Sequence, residues 1–114
     1  MMELQYSELD KHIRVIKLIG DLDIAGVNSV DVKFAGFCSG EKPYVLVDLS
    51  DVGFMASIGI RMLTSNAKSI ACRGGKLVLL SPTPDVKAVL EMTGIPSIIP
   101  MYEKMESAQA VLLA

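Results

Sequence analysis

Hydrophobic and polar residues follow one another in short periodic stretches along most of the chain. Period-two alternation and apolar runs predict five strands, at residues 4–6, 13–19, 44–49, 76–80 and 97–101. The first strand, which carries Leu4 and Tyr6, is expected to pair with the second through a turn at 8–11. Gly20 is expected to end the second strand.

Helical spacings of three and four separate the later strands and predict four helices. Their inward-facing residues are Val27, Val30, Phe34 and Phe37; Ile60, Leu63, Ala67, Ile70 and Ala71; Val86, Val89 and Leu90; and Met105, Ala108, Val111 and Leu112. Residues 21–23 and 83–84 are typical of helix starts, and Gly74-Gly75 and Gly94 of helix ends. This order of elements predicts an α/β fold: a single domain over residues 1–114, with a mixed, mostly parallel sheet of five strands and four helices.

Composition narrows the class of protein. A hydrophobic share of 51% and a mean hydropathy of +0.44 favour buried parallel strands in a chain of this length. There is no apolar run as long as a membrane span and no signal peptide, so we expect a cytoplasmic protein without membrane insertion. The 11 basic and 13 acidic residues are scattered, which argues against direct nucleic-acid binding. Cys38 and Cys72 lack metal-site spacing, so we expect two reduced, partly buried thiols, no metal and no cofactor.

Ser57 lies where the third strand passes into the second helix, inside the segment Phe54 to Gly59. The first amides of a helix lack internal partners and carry partial positive charge, so a phosphoryl group on Ser57 would be favoured and could act as a reversible switch. Ser is also among the best N-cap residues, and a plain capping role explains the position as simply. The residue pattern leaves both interpretations open.

Several segments, taken in order, resemble the STAS-type anti-sigma factor antagonists over nearly the whole chain. These segments are Gly20 to Asp23, Val47 to Ser50, Phe54 to Gly59, Gly74 to Leu79 and Val86 to Gly94. The resemblance implies a mixed-sheet domain with four helices that binds an anti-sigma factor, itself a serine kinase, and thereby frees a sigma factor.

The resemblance also implies a switch. In that family, phosphorylation of the serine at this helix start lowers the affinity for the kinase, and a separate serine phosphatase restores it; by position the target is Ser57. Ala56 stands where the family usually has Asp, and Ile58 where it usually has Ser or Thr. A phosphate on Ser57 would then be the only strong negative charge in this motif, and we expect the two states to differ more sharply than in a relative with Asp.

Residues around Ser57 are expected to contact the partner, namely Asp21, Asp23, Met55, Ala56, Ile58, Gly59 and Met62. Ile58 and Met62 are expected to point toward solvent, because other residues supply the inner face of the helix. Gly59 would let the partner approach the backbone, although it can equally be a tolerated helix residue. Phe54 is expected in the core.

The acidic residues also have two interpretations. Asp21 or Asp23 is expected to cap the first helix, and the family resemblance adds that this acidic loop lies beside the serine. Asp48 falls inside a buried strand, so we expect it near the sheet edge or bonded to backbone amides.

Other function classes fit the residues less well. Ser57 as a catalytic nucleophile lacks a Gly-x-Ser-x-Gly turn, and His12, the only histidine, has no spacing relation to it. The turn from Arg73 to Lys76 runs from helix to strand, the reverse of a phosphate-binding loop, and Gly75 more simply ends a helix. We therefore expect no enzyme. An accessory or regulatory subunit of a transport or stress-sensing complex stays open, because STAS-like domains serve there too.

Overall fold

The computed structural model describes residues 2–9 and 12–113. The elements in chain order are β1 (Glu3–Leu9), β2 (Ile13–Leu22), α1 (Ile24–Phe37), β3 (Tyr44–Met55), α2 (Ser57–Cys72), β4 (Lys76–Leu80), α3 (Pro84–Met92), a short 3₁₀ helix (Ile95–Ser97), β5 (Met101–Tyr102) and α4 (Met105–Leu113). Within the described ranges, no helix is both long enough and apolar enough to cross a membrane.

The strands form one sheet in the order β1-β2-β3-β4-β5. β1 runs antiparallel to β2, with Leu4 opposite Leu18 and Tyr6 opposite Ile16, and the other neighbours are parallel. The predicted fold class and the pairing of the first two strands are therefore confirmed. The turn expected at 8–11 falls partly outside the described residues.

Helices cover both faces of the sheet. Apolar side chains of α1, α2 and α3 pack on one face against residues such as Ile16 and Val47, whereas α4 packs on the other face with Val15 and Leu46. Central strands that are buried on both faces explain the apolar composition. Ala71, which was expected to face inward, is exposed because it lies roughly 80° around α2 from the buried Leu63.

β2 and β3 extend together beyond the rest of the sheet. They pair as far as Leu22 and Met55, whereas β3 and β4 pair only up to Asp48 and Leu80. The sequence pattern predicts earlier ends for both strands. The reason is that the pairing is irregular on either side of Gly20, which breaks the period-two alternation. The extended pair of strands leads directly into the starts of α1 and α2.

β5 contains only Met101 and Tyr102, so the strand expected at 97–101 is mostly wrong. The chain before it forms the 3₁₀ helix, and Pro100 has no amide hydrogen to give to a strand ladder. The expectation that Asp48 is bonded to backbone amides is confirmed, since its carboxylate accepts a hydrogen bond from the Ser50 amide at 2.9 Å.

The two glycines after α2 have different roles. Gly74 adopts the left-handed conformation with φ of 81°, the role expected of Gly75. Gly75 is required for another reason, because a Cβ there would overlap the Pro43 carbonyl oxygen.

Candidate functional site

The starts of α1 and α2 lie at the same edge of the sheet. Both helices follow parallel strands, so their N-termini point to the same end of the molecule. The Ala56 amide donates a hydrogen bond to the Leu22 carbonyl at 3.0 Å. This bond ties the start of α2 to the loop that begins α1.

Ser57 is the first residue of α2, and it is exposed. The N-cap position belongs to Ala56, whose extended backbone has φ −93° and ψ 172° and whose methyl group cannot accept a hydrogen bond. The capping role expected for Ser57 is therefore wrong: the helix begins one residue earlier than a serine cap requires. None of the side-chain hydrogen bonds found among the described residues involves the Ser57 hydroxyl.

The first turn of α2 has a positive end that its own side chains do not neutralise. Its first backbone bond runs from the Gly59 amide to the Ala56 carbonyl at 2.9 Å, and the amides of Ser57 and Ile58 have no backbone partner among the described residues. There is no acidic side chain in this turn. Such an end favours an added anion.

The loop Asp21 to Asp23 lies beside this helix start. Asp23 is the N-cap of α1 and its carboxylate accepts a hydrogen bond from the Gly26 amide at 2.8 Å, which confirms the capping interpretation for Asp23. Asp21 is exposed and pairs with Phe54 across the two strands. Because Leu22 between them is bonded to Ala56, the acidic loop and Ser57 share one surface.

Three of the expected partner contacts are buried. Met55 is 3% exposed and Met62 is 6% exposed, and both belong to the main core. The expectation that Met62 points toward solvent is wrong, because α2 packs against α1 as well as the sheet and its buried face is correspondingly wide. A Cβ at Gly59 would lie 2.9 Å from the Leu22 Cβ, so this glycine serves close packing inside the chain.

A groove runs between the N-terminal halves of α1 and α2. It has a volume of about 330 Å³ and is lined by the apolar Val27, Ile58 and Met62 and by the polar Asn28, Asp31, Arg61, Ser65 and Asn66. Ile58 is half-buried and packs against the core, so it is only partly turned to solvent. The groove starts directly beside Ser57.

Two exposed apolar residues at this end were missed by the sequence reasoning. Ile24, the first residue of α1, is 67% exposed, and Phe54, expected in the core, is 52% exposed. The pairing of β2 with β3 is irregular between Gly20 and Asp21. The alternation of inward and outward side chains therefore shifts in the part of β3 that lies opposite, and Phe54 points outward. The only sequence signal that could have identified Ile24 is its position directly after an N-cap Asp.

His12 and Ser57 lie at opposite ends of the sheet. β2 begins next to His12 and runs beside β3 until Leu22 pairs with Met55, which at about 3.3 Å per residue separates the two side chains by roughly 30 Å. This histidine therefore cannot activate the Ser57 hydroxyl. Among the described residues, no group of three His, Cys, Asp or Glu side chains is arranged to hold a metal ion.

The two thiols differ in environment. Cys38 is buried, and burial raises the pKa of its thiol to about 11. Cys72 is exposed, so the expectation of two partly buried thiols is wrong for Cys72. Cys72 lies in the last turn of α2, where the chain turns away toward β4.

Comparison with known proteins identifies the family to which the chain is similar. A model of the STAS domain matches residues 6–108. The anti-sigma F factor antagonist of Lysinibacillus sphaericus is 25% identical over 95 residues, which cover 82% of this chain and 81% of that protein.

Solved structures share the fold over 96–100% of the chain. The crystal structure of an anti-sigma factor antagonist from Mycobacterium paratuberculosis matches with a TM-score of 0.90 and 18% identity, covering 100% of this chain and 96% of that one. The Bacillus cell fate determinant SpoIIAA in its phosphorylated form matches with a TM-score of 0.70 and 20% identity, covering 96% and 99%. At these identities the likeness establishes the fold.

Proposed function

Because this chain belongs to the STAS domain family, we propose that it is an anti-sigma factor antagonist switched by phosphorylation of Ser57. In the unphosphorylated form it binds a kinase-type anti-sigma factor and frees a sigma factor. The observation that carries the proposal is the exposed, unbonded Ser57 hydroxyl at the start of α2. A phosphorylated form of a protein with the same fold supports it.

A phosphate on Ser57 needs no refolding of the domain. The kinase transfers the γ-phosphoryl group of ATP to the Ser57 oxygen, which loses its proton, and ADP leaves. The new group carries about −1.5 to −2 charges and three acceptor oxygens, which the unbonded amides of the first turn attract. The change is confined to the surface that the partner contacts, so phosphorylation lowers affinity through local charge and bulk.

Exposed groups around Ser57 supply the proposed contact surface. Asp21 is exposed, Ile58 lines the groove, and Ile24 and Phe54 present apolar side chains at the same end. Ala56 is half-buried. A surface that combines apolar side chains with a few charges is typical of a protein interface.

The core residues near the serine act indirectly in this scheme. Met55, Gly59 and Met62 hold the start of α2 against Leu22, and Asp23 fixes the start of α1. We propose that Met55, Gly59 and Asp23 position the contact surface rather than touch the partner, whereas Met62 also forms part of the floor of the groove.

The wider circuit follows from the same proposal. A serine phosphatase would remove the phosphate and restore binding. The chain itself would act through protein contacts rather than by catalysis or direct nucleic-acid binding, and would work in the cytoplasm. The separation of His12 from Ser57 supports the non-enzymatic part of this proposal.

Phosphorylation in vitro tests the proposal. The protein is incubated with ATP and the kinase-type anti-sigma factors of its source organism, and the phosphate is located by mass mapping. We expect one phosphate, on Ser57, and none in the Ser57→Ala variant. Ser69→Ala is the matched control, because Ser69 is also an exposed serine of α2 and lies outside the α1–α2 groove. A phosphate that persists in Ser57→Ala, or that is lost in Ser69→Ala, would overturn the assignment.

A further inference from the structure

Arg61 lies one helical turn after Ser57, on the exposed side of α2. Side chains four residues apart on a helix have Cβ atoms about 5–6 Å apart, and an anion N-terminal to a cation at this spacing is the favourable order. A phosphate on Ser57 is therefore within reach of the Arg61 guanidinium, which can donate two parallel hydrogen bonds to it.

Arg61 has no ionic partner among the residues that the structure describes. The ion pairs among the described residues are Lys17 with Asp51 and Lys87 with Glu103. Asp31 lines the same groove from α1, yet the two side chains form no ion pair. The Arg61 guanidinium is thus available to an external acidic group, above a floor formed by Val27, Ile58 and Met62.

We propose, resting on the proposed function, that Arg61 is the residue through which phosphorylation of Ser57 is transmitted to the partner. In the unphosphorylated chain, Arg61 binds an acidic side chain of the anti-sigma factor at the rim of the α1–α2 groove. In the phosphorylated chain, the phosphate captures Arg61 and the partner's acidic side chain loses its cation.

The partner chemistry follows from the rim of the groove. Arg61 and Asp31 present opposite charges on the two helices, and a matching surface carries an acidic group toward Arg61 and a basic group toward Asp31. Complementary charges of this kind set the register of an interface. Phosphorylation would disturb the Arg61 half of this arrangement first, since Arg61 is on the same helix as Ser57.

Phosphoserine incorporated at position 57 tests the intramolecular pair without any partner. The second pKa of its phosphate is measured by ³¹P NMR in the otherwise native chain and in Arg61→Gln. Asp21 and Asp23 on the neighbouring loop and Asp31 on α1 are present in both proteins, so the difference reports Arg61. We expect the pKa to be lower in the native chain by about 0.3 of a unit. Equal values would overturn the proposal.

Lys68→Gln is the matched control for charge. Lys68 is exposed on nearly the same side of α2 as Arg61, but it is eleven residues from Ser57, or about 16 Å along the helix. We expect its phosphate pKa to equal that of the native chain. A shift as large as that of Arg61→Gln would mean that net charge, rather than the pair, is responsible.

Partner affinity tests the second half of the proposal. We expect Arg61→Gln to weaken binding of the unphosphorylated chain to the anti-sigma factor, and phosphorylation to cause a roughly tenfold loss in the native chain but a much smaller further loss in Arg61→Gln. If phosphorylation weakens both proteins equally, the switch stands but Arg61 does not transmit it. If the native chain does not bind at all, the proposed function itself fails, whereas the NMR result still reports the pair.

Discussion

A capping residue at position 56 should stabilise the fold, because the N-cap of α2 has suitable geometry and no acceptor. Ala56 has the extended backbone of an N-cap residue, and the amides of Ser57 and Ile58 have no backbone partner within the described residues. In Ala56→Asp, the carboxylate can accept a hydrogen bond from a first-turn amide, as Asp23 already does for α1 at 2.8 Å. The Ala56→Asp substitution therefore adds one hydrogen bond at the start of α2 that the native chain lacks.

The expected magnitude has two parts. Replacing Ala by a capping side chain is worth about 1 kcal/mol, which for a domain of this size raises the melting temperature by about 4 °C. The carboxylate of Ala56→Asp is also attracted by the helix dipole and repelled by Asp21 and Asp23. We expect the net effect of this charge on the free energy of unfolding to be about 0.5 kcal/mol or less. Ala56→Asn supplies the acceptor without the charge and separates the two parts.

Thermal unfolding of the three proteins at low and high salt provides the measurement. We expect both variants to be more stable than the native chain, with only the difference between Asp and Asn depending on salt. If neither variant is stabilised, the start of α2 is not the uncapped helix end described above.

The same variant probes the switch. We expect Ser57→Asp to weaken partner binding more in the native background than in the Ala56→Asp background, because Ala56 leaves the added charge without a competing anion. A loss that is no larger in the native background would refute this role of Ala56.

Three further changes follow from packing and burial. Gly59→Ala should destabilise the fold by about 1–3 kcal/mol in urea unfolding, because its Cβ would lie 2.9 Å from Leu22. Gly36→Ala, whose Cβ would meet nothing within 4 Å, should instead stabilise by about 0.5–1 kcal/mol, and the same sign for both would contradict the packing described. Maleimide at neutral pH should label Cys72 rapidly and Cys38 only on unfolding, since burial raises the pKa of Cys38 to about 11; equal rates would show that Cys38 is accessible.

The sheet and helices could be predicted because their periodicity is strong. Strands such as β4 are apolar runs between glycine and proline signals, and α1 carries Val27, Val30 and Phe34 at regular spacing. The extension of β2 and β3 could not be predicted in the same way, because the irregular pairing near Gly20 breaks the alternation on which the prediction depends.

The position of Ser57 in the fold could be predicted, but the placement of the residues around it could not. Ser57 lies at the helix start as predicted, yet a single residue decides whether a serine caps a helix or is free, and helix ends vary by that much. Met62 was assigned to solvent because its burial depends on the packing of α2 against α1, a tertiary contact that the spacing within one helix does not contain. The exposure of Phe54 depends on the irregular pairing of β2 with β3 near Asp21, which the sequence of β3 alone does not contain.

The most direct test of the switch is the affinity of the anti-sigma factor for the chain in its two states. Calorimetric titration would compare the unphosphorylated protein with protein carrying phosphoserine at position 57. Phosphoserine at position 69 is the control, because Ser69 is exposed on the same helix but lies outside the α1–α2 groove and about 18 Å along the helix from Ser57. We expect phosphorylation of Ser57 to weaken binding by roughly tenfold or more and phosphorylation of Ser69 to change it less. Equal binding by the unphosphorylated and Ser57-phosphorylated proteins would contradict the switch.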